Sequence, residues 1–517
     1  MNAYERHAAY YLEVVRNISC LYLAGGTDQV RGLRWFDAEL AQIDRGWQWA
    51  QSNSPILDSL TLDYAEAALA FSDLRYPLQA ELLPRLSLAL QAAERLDNSQ
   101  MEGRLLSELG NIYYTLGDIP QAIEFHNRRL ALAQHLGNQL GVSSAFTNLG
   151  LCYLAVGEID RAIDCQQQSL EAARSCQDQD AESRALGNIG LCYAVRGDAK
   201  QAIRYYEQQL DIVRQLRHTR SEGTALGNLG LAYMDLGELH KAVECHEQAL
   251  QISRSLGDRW SEGQDLGNLG SAYFQLGYLE QAIYYLQQRL SLAHTLGDRK
   301  GESAALDNLA LAYSDLEEFE RAISYYDAAL ALNIALNDSH GEATTRNNLG
   351  NTHFTLGNLQ EALEYYKQAL IADRKGGYLY GEARTLCNLG NVYSALGDSA
   401  QAVQCYEESI AITISTGDTK AYALSSWNLG DVLLQLGELD RAADLMQVLV
   451  DYELEMGMAD AKRDAEILAT LRERIKEEGA TVHVKSQEKL NAKFVTNSSP
   501  FDKNLNKGLG DIHSRSG

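Results

Sequence analysis

Eight asparagines recur at a spacing of 40 residues: Asn148, Asn188, Asn228, Asn268, Asn308, Asn348, Asn388 and Asn428, with Glu108 in the same phase before them. Asparagine is a mediocre helix former, so its repetition inside helical sequence calls for a reason. A side-chain amide donates and accepts together, which lets it pair with the N–H and C=O of another main chain. A ladder of such amides holds an extended peptide with little regard to its sequence; alternatively, each amide bonds its own neighbouring helix or turn. Four residues earlier in phase lie Arg104, Arg184 and Arg384, with Arg346 close to that register. These cations suit a ligand carboxylate, or they pair with the glutamates that open the helices, Glu182, Glu342 and Glu382. Three residues after the asparagines come Leu151, Leu191, Leu231 and Leu311, then Asn351, Asn391 and Asp431. A further phase holds Leu154, Met234, Phe274 and Phe354, and Trp427 replaces a small residue near the end of the array. The pattern predicts apolar ligand anchors early in the array and a polar stretch later. The other reading is that these side chains seal seams between helices.

Other chemistries find little support. There is no Gly-Lys dipeptide, hence no P-loop, and no G-x-S-x-G elbow. His246-Glu247 lacks the second histidine of a zinc-protease motif, and the 11 histidines have no metal-ligand spacing. The eight cysteines form no C-x-x-C pair and fall inside helical patterns, as reduced thiols of a cytoplasmic protein would. The expectation is a non-enzymatic protein without cofactor or metal. A net charge of −25 makes nucleic acid and anionic membrane surfaces poor partners. No run reaches the roughly 18 apolar residues of a membrane span, and the first 20 residues do not read as a signal peptide.

The elements that carry these columns repeat with them. Residues 101–460 form nine copies of 40 residues without insertion. No proline occurs between 121 and 499, which favours uninterrupted helices. Ala122, Ala162, Ala202, Ala242, Ala282, Ala322, Ala362, Ala402 and Ala442 fill one column, where only a small residue lets two helices approach. A glycine column from Gly110 to Gly430, broken by Ala310, lies inside the first helix of each copy. A second, from Gly117 to Gly437, follows that helix and marks its end; Glu317 breaks it and predicts a less sharp or strained turn. Tyrosines on the first helix and leucines on the second complete the core. Each copy therefore reads as helix, tight turn, longer helix, short loop, and one copy buries its apolar face only against the next.

This small-Gly-Tyr and Ala-aromatic-Leu pattern resembles the tetratricopeptide repeat. The 40-residue length is similar to the extended class found in Pins/LGN-type scaffolds, kinesin light chains and the sensor arms of bacterial STAND regulators. The resemblance implies an all-α fold, a right-handed α-solenoid superhelix of stacked helix-turn-helix repeats. It also implies that a protein or peptide ligand lies in the concave groove, held by the asparagines. The function expected is a protein–protein interaction scaffold; the alternative is a sensor arm that controls a partner NTPase or protease. The expected site residues are Asn148 through Asn388 of the column, Arg184, Arg346, Arg384, Leu191, Leu231, Phe274 and Phe354.

The ends differ. Residues 1–100 read as a helical lead-in of four helices, near 2–23, 29–53, 56–75 and 78–96, closing on one degenerate repeat. Trp35, Phe36, Leu40, Ile43 and Trp47 fall on one face of the second. Residues 461–479 read as a capping helix with one apolar face. Residues 480–517 read as a disordered tail carrying +3, which leaves −28 on the body.

Overall fold

A computed structural model describes residues 3–71, 74–458 and 460–480. Among these residues there are 23 α-helices and no strand. The basic tail expected from residue 480 onward falls, from 481, outside the described residues. The chain forms two compact units, Met1–Glu238 and Leu239–Gly517. Each is a stack of helix-turn-helix pairs, the all-α solenoid architecture. Within each unit the first helices of successive repeats touch one another and form a row along one side of the stack.

The backbone bonds of the turn between the helices of a repeat recur each time. Gly197 adopts φ +87 and closes the helix Gln179–Arg196. The next N–H, that of Asp198, reaches back to Tyr193 O at 2.9 Å, while Gly197 N–H bonds Ala194 O at 3.0 Å. This pair of bonds satisfies the last carbonyls of the helix and needs a left-handed residue. Asp198 then caps the following helix, accepting from Gln201 N–H at 3.1 Å. At Glu317 the same bonds form, with Glu318 N–H to Tyr313 O at 2.9 Å. The turn is as sharp as its siblings, and a non-glycine residue is held at φ +62. The expectation of strain holds there, and that of a wider turn does not.

The nine column alanines are all fully buried. The helix-interior glycines explain themselves by what faces them: a Cβ on Gly350 would lie 2.6 Å from the Tyr366 ring, and one on Gly430 2.6 Å from Met446 Cγ. Tyrosines of the first helix stack on aromatic residues of the second, as in Tyr193–Tyr205 at 5.5 Å and Tyr313–Tyr325 at 5.4 Å between ring centroids.

The lead-in contains the helices Ala3–Ala24, Gly26–Ser52, Asp58–Ala68 and Leu83–Arg95, with one π-helical turn at Leu78–Leu82. The third is shorter than the sequence pattern suggests. Phe36, Ile43 and Trp47 are buried, whereas Trp35 is exposed, rotated off the apolar face. At the other end the helix Ala461–Ala480 buries Ala461, Leu468 and Leu471. Asp464 is buried on that helix, and the charge of Asp464 helps burial push the Glu453 carboxyl up to about 7.

Candidate functional site

The asparagine column lies on the first helices, and all eight side chains are partly buried. Their hydrogen bonds divide them. Asn148 donates to Asn111 Oδ1 at 3.2 Å. Asn388 donates to Asn351 Oδ1 at 3.4 Å, and Asn428 to Asn391 Oδ1 at 3.1 Å. Asn188 reaches Gln166 Oε1 at 3.5 Å, the outer limit of a bond. The side-chain amides of Asn228, Asn268, Asn308 and Asn348 have no hydrogen-bond partner among the described residues. The rule behind the division is local. Where the residue 37 positions earlier is asparagine, as at 111, 351 and 391, it offers an acceptor; where it is leucine or serine, the amide stays unused except at Asn188, which reaches Gln166 of the preceding helix instead.

The acceptors belong to a larger motif. The Tyr366 hydroxyl donates to Asn351 Oδ1 at 2.6 Å, and the Tyr406 hydroxyl to Asn391 Oδ1 at 2.6 Å. Each of these carbonyls thus takes two donors, one from the second helix of its own repeat and one from the first helix of the next. An open cleft lies at the corresponding place between the first helices of repeats six and seven. Leu311, Asp315, Tyr326, Asn348, Asn351 and Thr352 line it.

The arginines differ from one another. Arg184 is exposed and unpaired among the described residues. Its supposed partner Glu182 is held by Arg174 at 2.7 Å. The same bridge from the second helix to the next first helix recurs in Arg214–Glu222 at 2.8 Å, Arg254–Glu262 at 2.9 Å and Arg374–Glu382 at 2.6 Å. At the junction before Arg374–Glu382 the arginine position is occupied by Ile334, and Arg346 pairs with Glu342 instead. Arg346 stands in the column of Leu106, Leu186, Leu226, Leu266, Leu306 and Leu386. Its cation has moved into a core position, and burial pushes the guanidinium down. Arg384 is half-buried, its Nε has no partner, and burial lowers its pKa against the attraction of Asp373 and Tyr366.

The apolar columns are unequal. Leu191 is exposed at 38% and Leu231 is half-buried. Phe274 is buried against Ala282 and Ala312, and Phe354 packs beside Ala362 and Leu389. Both phenylalanines contribute to seams between helices. Trp427 packs into the cluster around Tyr406 and Leu429.

A second polar column escaped the sequence reading. Near the end of each second helix from repeat one to repeat eight lies a buried residue that is matched by another 12 positions later, on the next first helix. The pairs are Ala133/Ala145, Ala173/Ala185, Val213/Ala225, Ser253/Asp265, Ala293/Ala305, Asn333/Thr345, Asp373/Thr385 and Thr413/Ser425. In sequence polar is matched with polar and apolar with apolar in all eight pairs. Ser253 donates to Asp265 at 2.9 Å, Asn333 to Thr345 at 3.0 Å and Thr385 to Asp373 at 2.8 Å. Buried polar groups demand partners, so the two columns must change together. Burial pushes the carboxyls of Asp265 and Asp307 up to about 7 and that of Asp373 up to about 6.

Comparison with known proteins places this geometry. A tetratricopeptide repeat family model matches residues 141–215, 221–293, 302–375 and 380–451, and a second matches 105–140. No curated protein matches the sequence. Among solved structures, a signal transduction ATPase with numerous domains (STAND) from Pyrococcus horikoshii, bearing a tetratricopeptide repeat sensor, is 14% identical with a TM-score of 0.53. The match covers 82% of this chain and 66% of that one. The apo quorum sensor NprR of B. thuringiensis is 14% identical over 71% of this chain and 97% of its own, with a TM-score of 0.49. These likenesses concern the fold. The repeat matches extend over more than half of the sequence, and the chain belongs to the tetratricopeptide repeat family.

Proposed function

We propose that the protein is a non-enzymatic interaction scaffold that holds a peptide or partner segment along the first helices within a unit. The observation that carries this reading is the divided asparagine column. At Asn228, Asn268, Asn308 and Asn348 a residue unfavourable to helices recurs with its amide unused by the protein. Such amides supply a donor and an acceptor to a main chain laid beside them. Arg184, exposed and unpaired, adds a site for a ligand carboxylate, and Leu191 adds exposed apolar surface. The same groove would serve a ligand-sensing arm that controls a partner effector NTPase or protease. The STAND likeness motivates that second reading, and a cytoplasmic setting suits both.

The test is selection of octapeptides from a random display library on the full chain, followed by binding to Asn268→Ala/Asn308→Ala. Loss of two amide clamps, each worth roughly 1 kcal/mol, weakens the selected peptides about tenfold or more. Thermal unfolding should move by no more than about 2 °C. Peptides that bind the double variant as tightly as the parent would sink the reading.

A further inference from the structure

The repeats place a tyrosine and an asparagine in the same register four times; two of these pairs share an internal carbonyl oxygen, and in a third, at Tyr206 and Asn228, the tyrosine makes contacts of its own. In repeat seven the carbonyl oxygen of Asn351 receives the Tyr366 hydroxyl at 2.6 Å and the Asn388 amide at 3.4 Å. In repeat eight Asn391 receives the Tyr406 hydroxyl at 2.6 Å and the Asn428 amide at 3.1 Å. In repeat six the same register gives Tyr326, Asn348 and, in place of the carboxamide, Leu311. Both donors remain. Tyr326 is 2% exposed, and neither its hydroxyl nor the Asn348 side chain has a hydrogen-bond partner among the described residues. Both line the open cleft between the first helices of repeats six and seven.

We infer that this cleft takes the side-chain carboxamide of an asparagine or glutamine from the bound peptide, which stands where Asn351 and Asn391 stand in the neighbouring repeats. The inference rests on the groove reading above and adds a specificity pocket to it. A carbonyl oxygen satisfies two donors that the protein itself leaves unused. The group is an amide because Asp315 lines the same cleft. A second carboxylate there would meet like charge, whereas the NH2 of a carboxamide points favourably toward the acid. The unpaired amides of Asn268 and Asn308 have no such tyrosine in register, since positions 246 and 286 are histidine and leucine; Asn228 has Tyr206 in register, but that tyrosine makes contacts of its own. Selectivity therefore concentrates at the repeat-six cleft while the other amides hold main chain.

Two variants test it with the octapeptides selected on the parent chain. Leu311→Asn installs the internal carboxamide and closes the cleft; Tyr326→Phe removes one donor and leaves the packing. The selected peptides should share an asparagine or glutamine at one position. Exchange of that residue for aspartate, glutamate or alanine should weaken binding at least tenfold, and both variants should abolish the preference. Tyr326→Phe keeps the test valid if Leu311→Asn disturbs the seam around Phe274. Peptides that bind without a carboxamide preference, or that bind both variants unchanged, overturn the pocket while the groove stands. A library that yields no binder overturns both.

Discussion

Asp265 offers the sharpest test of how the repeats are joined. Its carboxyl is 8% exposed, accepts from Ser253 at 2.9 Å and is pushed up to about 7 by burial, with the charges of Asp258 and Glu262 adding to the effect. In the unfolded chain the same group titrates near 3.9. Between these values the folded protein keeps a proton that the unfolded chain has released. The stability this confers is complete below about pH 4 and is lost as pH rises through 7. Each pK of separation is worth about 1.4 kcal/mol, so the change between pH 5 and pH 8 comes to roughly 2–3 kcal/mol. Asp265→Asn keeps the shape and the bond from Ser253 but has no proton to lose. In urea unfolding it should match the parent closely below about pH 4, and its advantage should be about 2–3 kcal/mol larger at pH 8 than at pH 5. Hydrogen exchange in the helix Arg259–Gln275 localises the effect, since a repeat array opens in parts. A residual pH dependence persists in the variant because Asp307, Asp373 and Glu453 are raised by burial too. Parallel pH profiles for parent and variant would refute the argument that burial in this junction holds the proton.

Three further outcomes follow from positions already described. Gly267 has nothing within 4 Å of a built Cβ, so Gly267→Ala should stabilise the helix by up to about 1 kcal/mol, whereas Gly350→Ala drives a methyl into the Tyr366 ring and should cost about 1–3 kcal/mol in the same denaturation assay. Glu317→Gly relieves a side chain held at φ +62 and should raise stability by about 1 kcal/mol, while Gly357→Glu at the corresponding turn should lower it by a similar amount. Arg346→Leu restores the apolar column and strands Glu342; adding Ile334→Arg rebuilds the bridge seen at the other junctions, so a double-mutant cycle should show favourable coupling of about 0.5–1 kcal/mol.

The fold was legible because its causes are local and periodic. The left-handed glycines, the buried alanines and the helix-interior glycines opposite large side chains each follow from one column read down nine copies. Trp35 was misplaced because an amphipathic stripe near the chain start leaves the exact facing of a helix to its partners. The candidate site was half legible. The asparagine column stood out by composition, but its division depends on which residue lies 37 positions earlier, a relation between repeats and not within one. The arginines misled for the same reason. Glu182 and Glu382 look available to Arg184 and Arg384 within the first helix, yet Arg174 and Arg374 of the preceding helix reach them first. The paired polar columns 12 residues apart were in plain sight, and only the contact between helices makes them one feature.

That pairing bears on how the chain avoids tangling with itself. Nine copies so alike invite wrong partners during synthesis and refolding, when any second helix meets any first helix. The mixture of apolar and polar junctions removes much of that freedom. A helix ending in Asp373, docked by mistake on the face of Ala145 or Ala305, would bury a carboxylate against methyl groups; docked on Thr385 it finds a hydroxyl. The junctions act as a sparse key written along the array, and copies excised or duplicated in multiples that mismatch it should assemble poorly even though every repeat is intact.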